Sequence, residues 1–406
     1  MANKPKIRFK GFDDAWEQRK LDDWGTFYYG KSCPKWSVTE DSTTPCIRYG
    51  ELYTKFGAKI DRVYSYTNMS PENLRFSKGT EVLIPRVGED PMDYNHCTWL
   101  SMPNVAIGEM ISVFNTDNNP LFTAMMFNAT LQNEFAMRVE GGSVTNLYFE
   151  KLKSIEVSFP SIPEQEKIAA YFDSIDHLIT LHQRKCDQMK ELKKYMLTKM
   201  FPQNGAKVPE IRFDGFIDDW EQRKLDDWGT FYYGKSCPKW SVTEDSTTPC
   251  IRYGELYTKF GAKIDRVYSY TNMSPENLRF SKGTEVLIPR VGEDPMDYNH
   301  CTWLSMPNVA IGEMISVFNT DNNPLFTAMM FNATLQNEFA MRVEGGSVTN
   351  LYFEKLKSIE VSFPSIPEQE KIAAYFDSID HLITLHQSKC ENLKNLKEYL
   401  LRNMFV

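Results

Sequence analysis

An internal duplication constrains this chain more than any other feature. Residues 16–183 recur without a single change as residues 220–387, an offset of 220 − 16 = 204 positions. The preceding segment recurs more loosely, as PKIRFKGF at Pro5–Phe12 and PEIRFDGF at Pro209–Phe216. A period this long describes two whole domains and excludes a solenoid of small repeats. The 406 residues are enough for both domains to have substantial cores.

Each repeat ends in a segment that predicts one long helix, 161–200 in the first copy and 365–404 in the second. Ser161 and Glu164 have the spacing of a capping box, and Pro163 stands where a first-turn proline is tolerated. Apolar residues then recur at alternating intervals of four and three, which is the pattern of a heptad seam. The predicted helix-packing residues are Ile168, Phe172, Ile175, Ile179, Met189, Ile372, Phe376, Ile379, Ile383 and Leu393.

The two helices are also where the copies diverge. Polar positions change between copies, as from Arg184 to Ser388 and from Glu191 to Asn395, whereas Met189 becomes only Leu393. The polar positions have therefore drifted while the seam has stayed apolar, as a buried contact between helices requires.

The remaining pattern predicts an α+β fold built from two globular domains and two long helices. The predicted segments are a first globular domain with a short lead-in at 1–160, a helix at 161–201, a linker and second domain at 202–364, and a helix at 365–406. Within the first domain we predict strand and turn over 16–29, a helix after Asn119-Pro120, and strands at Ile47–Tyr49, Glu81–Pro85, Val105–Ile107 and Ile155–Phe159. Residues 201–213, with Gly205 and two prolines, are predicted to form the linker.

Composition and cysteine usage predict an intracellular protein. The chain has neither a charged-then-apolar leader nor an 18-residue apolar run, so we expect neither secretion nor a membrane span. The eight cysteines are four positions doubled and include no CxxC pair, which favours reduced, structural thiols in the cytoplasm.

Charge is segregated along each repeat. The net charge of −8 is not that of a stand-alone nucleic-acid binder. Basic residues nevertheless concentrate within 24–88, whereas 89–118 contains acids and no lysine or arginine. The basic part is interleaved with tyrosines and glycines, which are suited to phosphate and base-edge contacts, although half-buried strand ends have the same composition.

The motifs of common catalytic sites are absent from the sequence. It contains no GxxxxGK[ST] loop, no GxGxxG turn and no Asn/Asp-Pro-Pro-aromatic motif of amino-methyltransferases. His96 and Cys97 lie near Asp93, but no second His/Cys pair at ligand spacing accompanies them, so a structural role is favoured over a metal site. Glu81 and Glu150 lack the lysine two residues on that a nuclease triplet requires.

The junction FPSIPEQEKIAAYFDSIDHLI, at Phe159–Ile179 and Phe363–Ile383, is the most specific motif of the sequence. Through this motif the sequence resembles the specificity subunit of a type I restriction–modification system. Further similar patches are WEQRKL at Trp16–Leu21, IRYGEL at Ile47–Leu52, SKGTEVLIPRVG at Ser77–Gly88 and GGSVTNLYFEKLKSIEVSFP at Gly141–Pro160.

This resemblance implies two target recognition domains separated by two long helices that pack as an antiparallel coiled coil. It implies that each domain reads half of a split site on double-stranded DNA, while the helices set the gap and dock two modification (methyltransferase) subunits, with restriction subunits in the larger complex. S-adenosylmethionine, ATP and Mg are implied only for those partners, for adenine-N6 methylation and DNA cleavage. The chain itself is expected to be non-catalytic, with no metal and no bound cofactor.

Identical domains add an expectation of their own. If antiparallel helices relate them by an approximate two-fold axis, the target is an inverted repeat of one half-site around an unread spacer.

The DNA-binding candidates are the side chains able to form hydrogen bonds with base edges or phosphates. They are Tyr28, Lys31, Arg48, Lys55, Arg86, Thr145, Asn146 and Tyr148, with Tyr232, Lys235, Arg252, Lys259, Arg290, Thr349, Asn350 and Tyr352 in the second copy.

Two other functions remain open at this point. A DNA-binding enzyme such as a nuclease with a duplicated domain predicts metal-dependent turnover by the chain alone. A scaffold that joins protein partners through its helices predicts no salt-sensitive affinity for DNA.

Overall fold

The computed structural model describes residues 4–203 and 206–406, so Gly205 of the predicted linker lies outside the described residues. The chain divides into two compact units, one of residues 1–183 with 388–406 and the other of residues 184–387. Each unit combines the globular part of one repeat, the beginning of that repeat's long helix and the end of the other long helix. The predicted α+β fold with two long packed helices is confirmed.

The strands of the first unit are short, and several consist of only two or three residues. They are β1 Glu17–Lys20, β2 Gly25–Tyr29, β3 Thr44–Ile47, β4 Lys59–Ile60, β5 Ser65–Thr67, β6 Phe76–Lys78, β7 Glu81–Pro85, β8 Val87–Gly88, β9 Thr98–Leu100, β10 Pro103–Ile107, β11 Ile111–Thr116, β12 Glu140–Gly141, β13 Thr145–Asn146 and β14 Glu156–Phe159.

Strand β7 is central to the largest sheet of this unit. That sheet has the order β2-β11-β7-β9-β4, and every residue of β7 is buried. A short apolar run with neighbours on both sides is typical of a strand buried on both faces. A second sheet, β5-β3-β10-β6, joins β3 and β10 in parallel, and two smaller sheets pair β12-β13-β8 and β1-β14.

The helices of the first repeat are α1 Leu21–Trp24, α2 Tyr49–Thr54, α3 Pro120–Thr130, α4 Gln132–Ala136 and α5 Ile162–Met200. The predicted cap of α3 is confirmed, because the Asn119 side chain accepts a hydrogen bond from the Phe122 N–H at 2.9 Å. At 1.5 Å per residue, the 39 residues of α5 extend about 58 Å.

The second repeat has the same strands and helices at the offset of the duplication, with one further short helix at Phe353–Leu356. Its strands are β15 Glu221–Lys224, β16 Gly229–Tyr233, β17 Thr248–Ile251, β18 Lys263–Ile264, β19 Ser269–Thr271, β20 Phe280–Lys282, β21 Glu285–Pro289, β22 Val291–Gly292, β23 Thr302–Leu304, β24 Pro307–Ile311, β25 Ile315–Thr320, β26 Glu344–Gly345, β27 Thr349–Asn350 and β28 Glu360–Phe363. Its helices are α6 Leu225–Trp228, α7 Tyr253–Thr258, α8 Pro324–Thr334, α9 Gln336–Ala340, α10 Phe353–Leu356 and α11 Ile366–Met404.

Within the first unit, the end of α11 runs antiparallel to the beginning of α5. The Cys390 sulfur lies 4.0 Å from the Ile179 carbonyl oxygen, and Lys397 Nζ lies 2.6 Å from the Asp176 carboxylate. Phe405, just beyond the helix, then reaches Phe172 with 6.0 Å between ring centroids. Residue numbers rise on one helix as they fall on the other, so the two helices pack in opposite directions.

The second unit contains the matching arrangement. Lys193 of α5 forms an ion pair with Asp380 of α11 at 2.5 Å, and Phe201 lies 6.0 Å from Phe376 between ring centroids. Cys186, Met200 and Phe201 join the hydrophobic core of this unit. The antiparallel coiled coil implied by the family resemblance is confirmed.

Two local predictions were wrong. The strand predicted at Ile47–Tyr49 ends at Ile47, because Glu51 accepts the Arg48 N–H at 2.9 Å and starts α2 at Tyr49. The helix predicted after Asn119 breaks at Leu131 into α3 and α4. The helix start predicted at Ser161 is confirmed, because α5 begins at Ile162.

At the start of α5, Glu164 is fully buried and its carboxylate binds Arg8. Arg8 Nε and Nη2 donate to its two oxygens at 2.6 and 2.7 Å. This contact raises the pKa of Arg8, since the guanidinium donates its hydrogen bonds to the carboxylate. The lead-in is therefore docked on the start of α5 and is not merely a polar tail.

Candidate nucleic-acid interface

The last residues of β2 approach the turn between β10 and β11 very closely. A Cβ atom on Gly30 would lie 2.1 Å from the Gly108 carbonyl oxygen, so only glycine fits there. The Lys31 N–H donates to the Ile107 carbonyl at 2.8 Å, and the Glu109 N–H donates to the Ser32 carbonyl at 2.9 Å. The backbone after β2 is therefore fixed in place.

Arg86 stacks between two tyrosines beside this strand end. Its guanidinium carbon lies 4.8 Å from the ring centroid of Tyr29 and 5.6 Å from that of Tyr148. Its Nη1 donates to the Glu109 carbonyl at 3.3 Å, while its Nε is buried without a partner among the described residues. The second unit repeats the stack with Arg290 at 4.9 Å from Tyr233 and 5.7 Å from Tyr352.

Arg75 supplies a second guanidinium that the sequence did not single out. It lies 5.1 Å from the Tyr28 ring centroid, and its Nη1 donates to the Tyr29 carbonyl at 2.5 Å. Its own carbonyl accepts the Ile107 N–H at 2.9 Å, next to the carbonyl that binds Lys31. We call Tyr28, Tyr29, Lys31, Arg75, Arg86 and Tyr148 the arginine–tyrosine cluster. In the second unit Arg279 takes the place of Arg75, 5.2 Å from Tyr232.

Burial sets the ionisation of the tyrosines in this cluster. It raises the pKa of Tyr28 to about 12, with the nearby Glu81 carboxylate adding to the effect. Burial also raises the pKa of Tyr29 to about 12, helped by the hydrogen bond that its hydroxyl donates to Glu150 at 2.7 Å. Both phenols are protonated at neutral pH, so the charge of the cluster is carried by its arginines and by Lys31.

The other basic candidates lie in different local settings. Lys31 is exposed, and its Nζ donates to the Glu72 carbonyl at 2.7 Å, as Lys235 does to Glu276. Lys55 lies 5.9 Å from the Tyr64 ring centroid, and Lys259 lies 5.8 Å from Tyr268.

Arg48 and Arg252 immediately precede α2 and α7, respectively. Within residues 4–203 and 206–406, neither guanidinium is part of an ion pair. Both remain half-buried candidates.

The side chains of the loop before the last strand differ in their exposure to solvent. Thr145 and Thr349 are each 5% exposed, and the hydroxyl of Thr145 donates to the Gly88 carbonyl at 3.0 Å. The buried Tyr94 hydroxyl also donates to the Thr145 carbonyl at 2.6 Å. The hydroxyl groups of Thr145 and Thr349 thus hold the loop together internally, and their contact with DNA stays a prediction. Asn146 and Asn350 are half-buried beside Tyr148 and Tyr352.

The groups considered for catalysis are engaged in structural contacts. Glu81 is buried, and its carboxylate accepts the backbone N–H groups of Lys78, Gly79 and Thr80 at 2.7, 2.9 and 3.0 Å. His96 Nε2 lies 3.0 Å from the Asp93 carboxylate, and burial raises the pKa of the Cys97 thiol. Within the described part of the chain, no group of three or more His, Cys, Asp and Glu is placed to hold a metal ion. All eight cysteines are buried and unpaired.

The predicted helix-packing residues turn inward. Ile168, Phe172, Ile175, Ile372, Phe376, Ile379 and Ile383 are buried, and Ile179, Met189 and Leu393 are half-buried. Other leucines on these helices remain exposed. In the first unit they are Leu178, Leu181 and Leu396, followed by Tyr399 at 57%. We call these four residues the outer helix strip; Leu382, Leu385, Leu192 and Tyr195 form it in the second unit.

Comparison with known families gives two matches along the chain. The family model described as the type I restriction modification DNA specificity domain matches residues 13–191 and again residues 217–395. In the described residues, no helix is long and apolar enough to span a membrane.

Two curated relatives come from Methanocaldococcus jannaschii. The putative type I restriction enzyme MjaX specificity subunit is 24% identical over 263 residues, which cover 62% of this chain and 58% of that protein. The type I restriction enzyme MjaVIII specificity subunit is 20% identical over 295 residues, 68% of each chain. The chain thus matches less than two thirds of the length of the MjaX protein.

Solved structures share the fold over almost the whole chain. The S subunit of a type I restriction–modification system from M. genitalium has a TM-score of 0.62 at 14% identity and covers 99% of both chains. A chain from a structure on complex assembly and conformational transition of the type I R-M system has a TM-score of 0.51 at 15% identity, covering 96% of this chain and 97% of that one.

Proposed function

We propose that this chain, which belongs to the type I restriction–modification DNA specificity family, selects the DNA target of such a system by reading one half-site with each globular domain. It is a recognition subunit and not itself an enzyme. The observation that carries the proposal is the arginine–tyrosine cluster, which occurs with the same geometry in both units. Guanidinium groups fixed by stacking are suited to bidentate contacts with guanine edges or phosphates.

The target we propose is an inverted repeat around an unread spacer. The two domains are identical in sequence, and the helices that carry them are antiparallel. Identical readers joined in this way are expected to read the same bases on opposite strands, as in two-fold-symmetric DNA binders. The helices would set the spacer length, and the complex would act in the cytoplasm.

The outer helix strip is the surface we propose for the two modification subunits. Apolar residues repeat along both helices at helical spacing and stay exposed, as expected of a surface that packs against helices of a partner protein. The methyltransferase partners would supply S-adenosylmethionine chemistry for adenine-N6 methylation. Restriction subunits would supply ATP- and Mg-dependent cleavage. Partner surfaces would also share the neutralisation of DNA phosphates, which suits a chain of net charge −8.

Mapping methylated adenines in a host that expresses this chain with its modification partner tests the target directly. The expected result is one short half-sequence in both orientations around a fixed gap. Two unrelated half-sequences would contradict the symmetric target. Metal-dependent cleavage by the purified chain alone would instead favour the duplicated nuclease.

Replacing the stacked arginines tests the reading surface. Arg86→Ala with Arg290→Ala is expected to weaken specific binding by about 1–3 kcal/mol for each bidentate pair lost. Lys78→Ala with Lys282→Ala is the matched control, because it removes exposed lysines from other strand ends. Unchanged affinity and target preference in the arginine variant would remove this pair from the interface.

Charging the outer helix strip tests the docking surface. Leu178→Asp with Leu382→Asp changes residues that are 41% and 40% exposed, so the chain should fold while co-purification with the methyltransferase subunit falls. Thr180→Asp with Thr384→Asp places the same charges at exposed polar positions of the same helices that do not face the strip leucines. Equal co-purification of both variants would place the docking surface elsewhere.

A further inference from the structure

One large apolar side chain in each unit stands in solvent. Trp36 and Trp240 are each 72% exposed, although tryptophan is highly buried in most folded proteins. Each lies in a three-residue 3₁₀ turn, Lys35–Ser37 or Lys239–Ser241. The exposure is thus a reproducible feature of both units.

The turn that carries Trp36 is fixed by hydrogen bonds of the buried residue next to it. Ser37, the next residue, is fully buried, and its Oγ donates to the Pro34 carbonyl and accepts from Thr67 Oγ1, both at 2.8 Å. The Asn68 N–H donates to the Ser37 carbonyl at 2.9 Å. The indole is therefore presented outward by an ordered turn, which keeps the conformational cost of a contact low.

Exposed aromatic and basic side chains occur on the neighbouring strand and turns. Tyr66, on edge strand β5 opposite Pro45, is 42% exposed, and Tyr64 is 52% exposed beneath the Lys55 ammonium. Lys35 is exposed beside Trp36 in sequence. We call Trp36, Tyr64 and Tyr66 the aromatic patch.

Two hydrogen bonds link the loop before Trp36 to the arginine–tyrosine cluster. The Ser32 carbonyl accepts the Glu109 N–H at 2.9 Å, and the Glu109 carbonyl accepts Arg86 Nη1 at 3.3 Å. The loop that leads from Lys31 of the cluster to Trp36 is therefore anchored to Arg86 through Glu109.

We propose that Trp36 and Trp240 contact duplex DNA beside each half-site, where the indole wedges against a base step and bends the helix. This inference rests on the proposed DNA-reading function. Apolar side chains inserted at base steps unstack them and kink the duplex, and flanking lysines hold the adjacent phosphates. Such a contact is tolerant of sequence at the step itself but favours flexible steps.

The test uses the complex of the full chain with its methyltransferase partner and a duplex that contains the target found by methylation mapping. Trp36→Ala with Trp240→Ala is compared with wild type by affinity titration and by energy transfer between dyes at the duplex ends. Met137→Ala with Met341→Ala is the matched control, since each methionine is 70% exposed in the same two domains. Trp36→Phe with Trp240→Phe retains an aromatic wedge.

The tryptophan-to-alanine variant is expected to bind about tenfold or more weakly and to bend DNA less, since the side chain that holds the unstacked step open is lost. Its binding should keep the wild-type salt dependence, because no phosphate contact is removed. The phenylalanine variant should recover most of the bend, and the methionine control should match wild type.

Wild-type affinity and bend in the alanine variant would overturn the inference while leaving the proposed function intact. Loss of methyltransferase co-purification with unchanged DNA binding would overturn it in favour of a protein contact. Failure of the wild-type complex to bind the mapped target would overturn the proposed function, and this inference with it.

Discussion

The globular cores of the two units have identical sequences. The junctions between the end of each long helix and a lead-in differ in sequence. In both units the lead-in backbone donates to the helix end: Ile7 N–H to the Asn403 carbonyl at 3.0 Å, and Ile211 N–H to the Lys199 carbonyl at 2.9 Å. The side chains differ at these junctions. Lys199 forms an ion pair with Glu210, where the first unit has Asn403 and Lys6 instead.

This difference shows which part of the junction tolerates change. Phe201 packs on Phe326 with 5.4 Å between ring centroids, and Phe405 packs on Phe122 at 5.4 Å as well. The backbone hydrogen bond and the aromatic contact are therefore common to both units, whereas the charged side chains on the surface of the junction differ. Each core is completed by the helix of the other repeat, so the two repeats depend on each other for stability.

The largest expected effect comes from charging the shared seam. Ile175 and Ile379 are 4% and 3% exposed, so Ile175→Asp with Ile379→Asp buries unpaired carboxylates at a cost of several kcal/mol each. We expect a large fall in the urea midpoint and loss of the complex with the methyltransferase subunit. Leu178→Asp with Leu382→Asp is the control that should keep the midpoint. An unchanged midpoint in the isoleucine variant would show that these residues do not form the packed face.

Removing the terminal aromatic of one helix should weaken one unit more than the other. Phe201→Ala should lower the free energy of unfolding of the second unit by about 3–5 kcal/mol, the usual cost of deleting a buried phenylalanine. Phe405→Ala should affect the first unit by less, since Phe405 is 7% exposed and Phe201 only 1%. Calorimetry should show one early transition in each variant; a uniform shift of both transitions would contradict independent completion of the two cores.

The lead-in ion pair offers a smaller and more chemical test. Arg8→Lys keeps the charge but loses the two parallel hydrogen bonds to buried Glu164, with an expected cost of about 1–3 kcal/mol. Arg212→Lys should have the same effect, because Arg212 binds Glu368 at the same distances of 2.6 and 2.7 Å. Thermal unfolding checks both variants. Unequal effects would mean that the divergent junctions alter the contact beneath them.

Local sequence signals predicted the elements that depend on nearby residues. The apolar run of β7 matched the predicted bounds Glu81–Pro85, and the Asn119 cap depends on a residue three positions away. Heptad spacing likewise predicted which faces of α5 and α11 are buried, because that pattern is a property of the helix itself.

The features that the sequence did not reveal depend on long-range contacts. Arg8 binds Glu164 across 156 positions, and Phe405 inserts into the core of the first repeat from the end of the chain. Arg75 joined the cluster only because strand pairing brings it to Ile107 beside Lys31. The internal hydrogen bonds of Thr145 have the same origin, since only the fold brings Tyr94 and Gly88 to this residue.

The smallest expected effect separates the two junctions directly. Lys199→Asn gives the second junction the residue that stands in the first, and removes an exposed ion pair with Glu210. Because surface pairs contribute little and are screened by salt, we expect a slight fall in the unfolding temperature of the second unit at low salt and none at high salt. Asn403→Lys places a cation near Lys6 at the end of α11, so it should destabilise the first unit slightly. Adding Lys6→Glu should reverse this change, because it restores a pair of opposite charges. A fall in the unfolding temperature that does not depend on salt, in either variant, would show that the divergent residues contribute through packing and that these positions do not tolerate change.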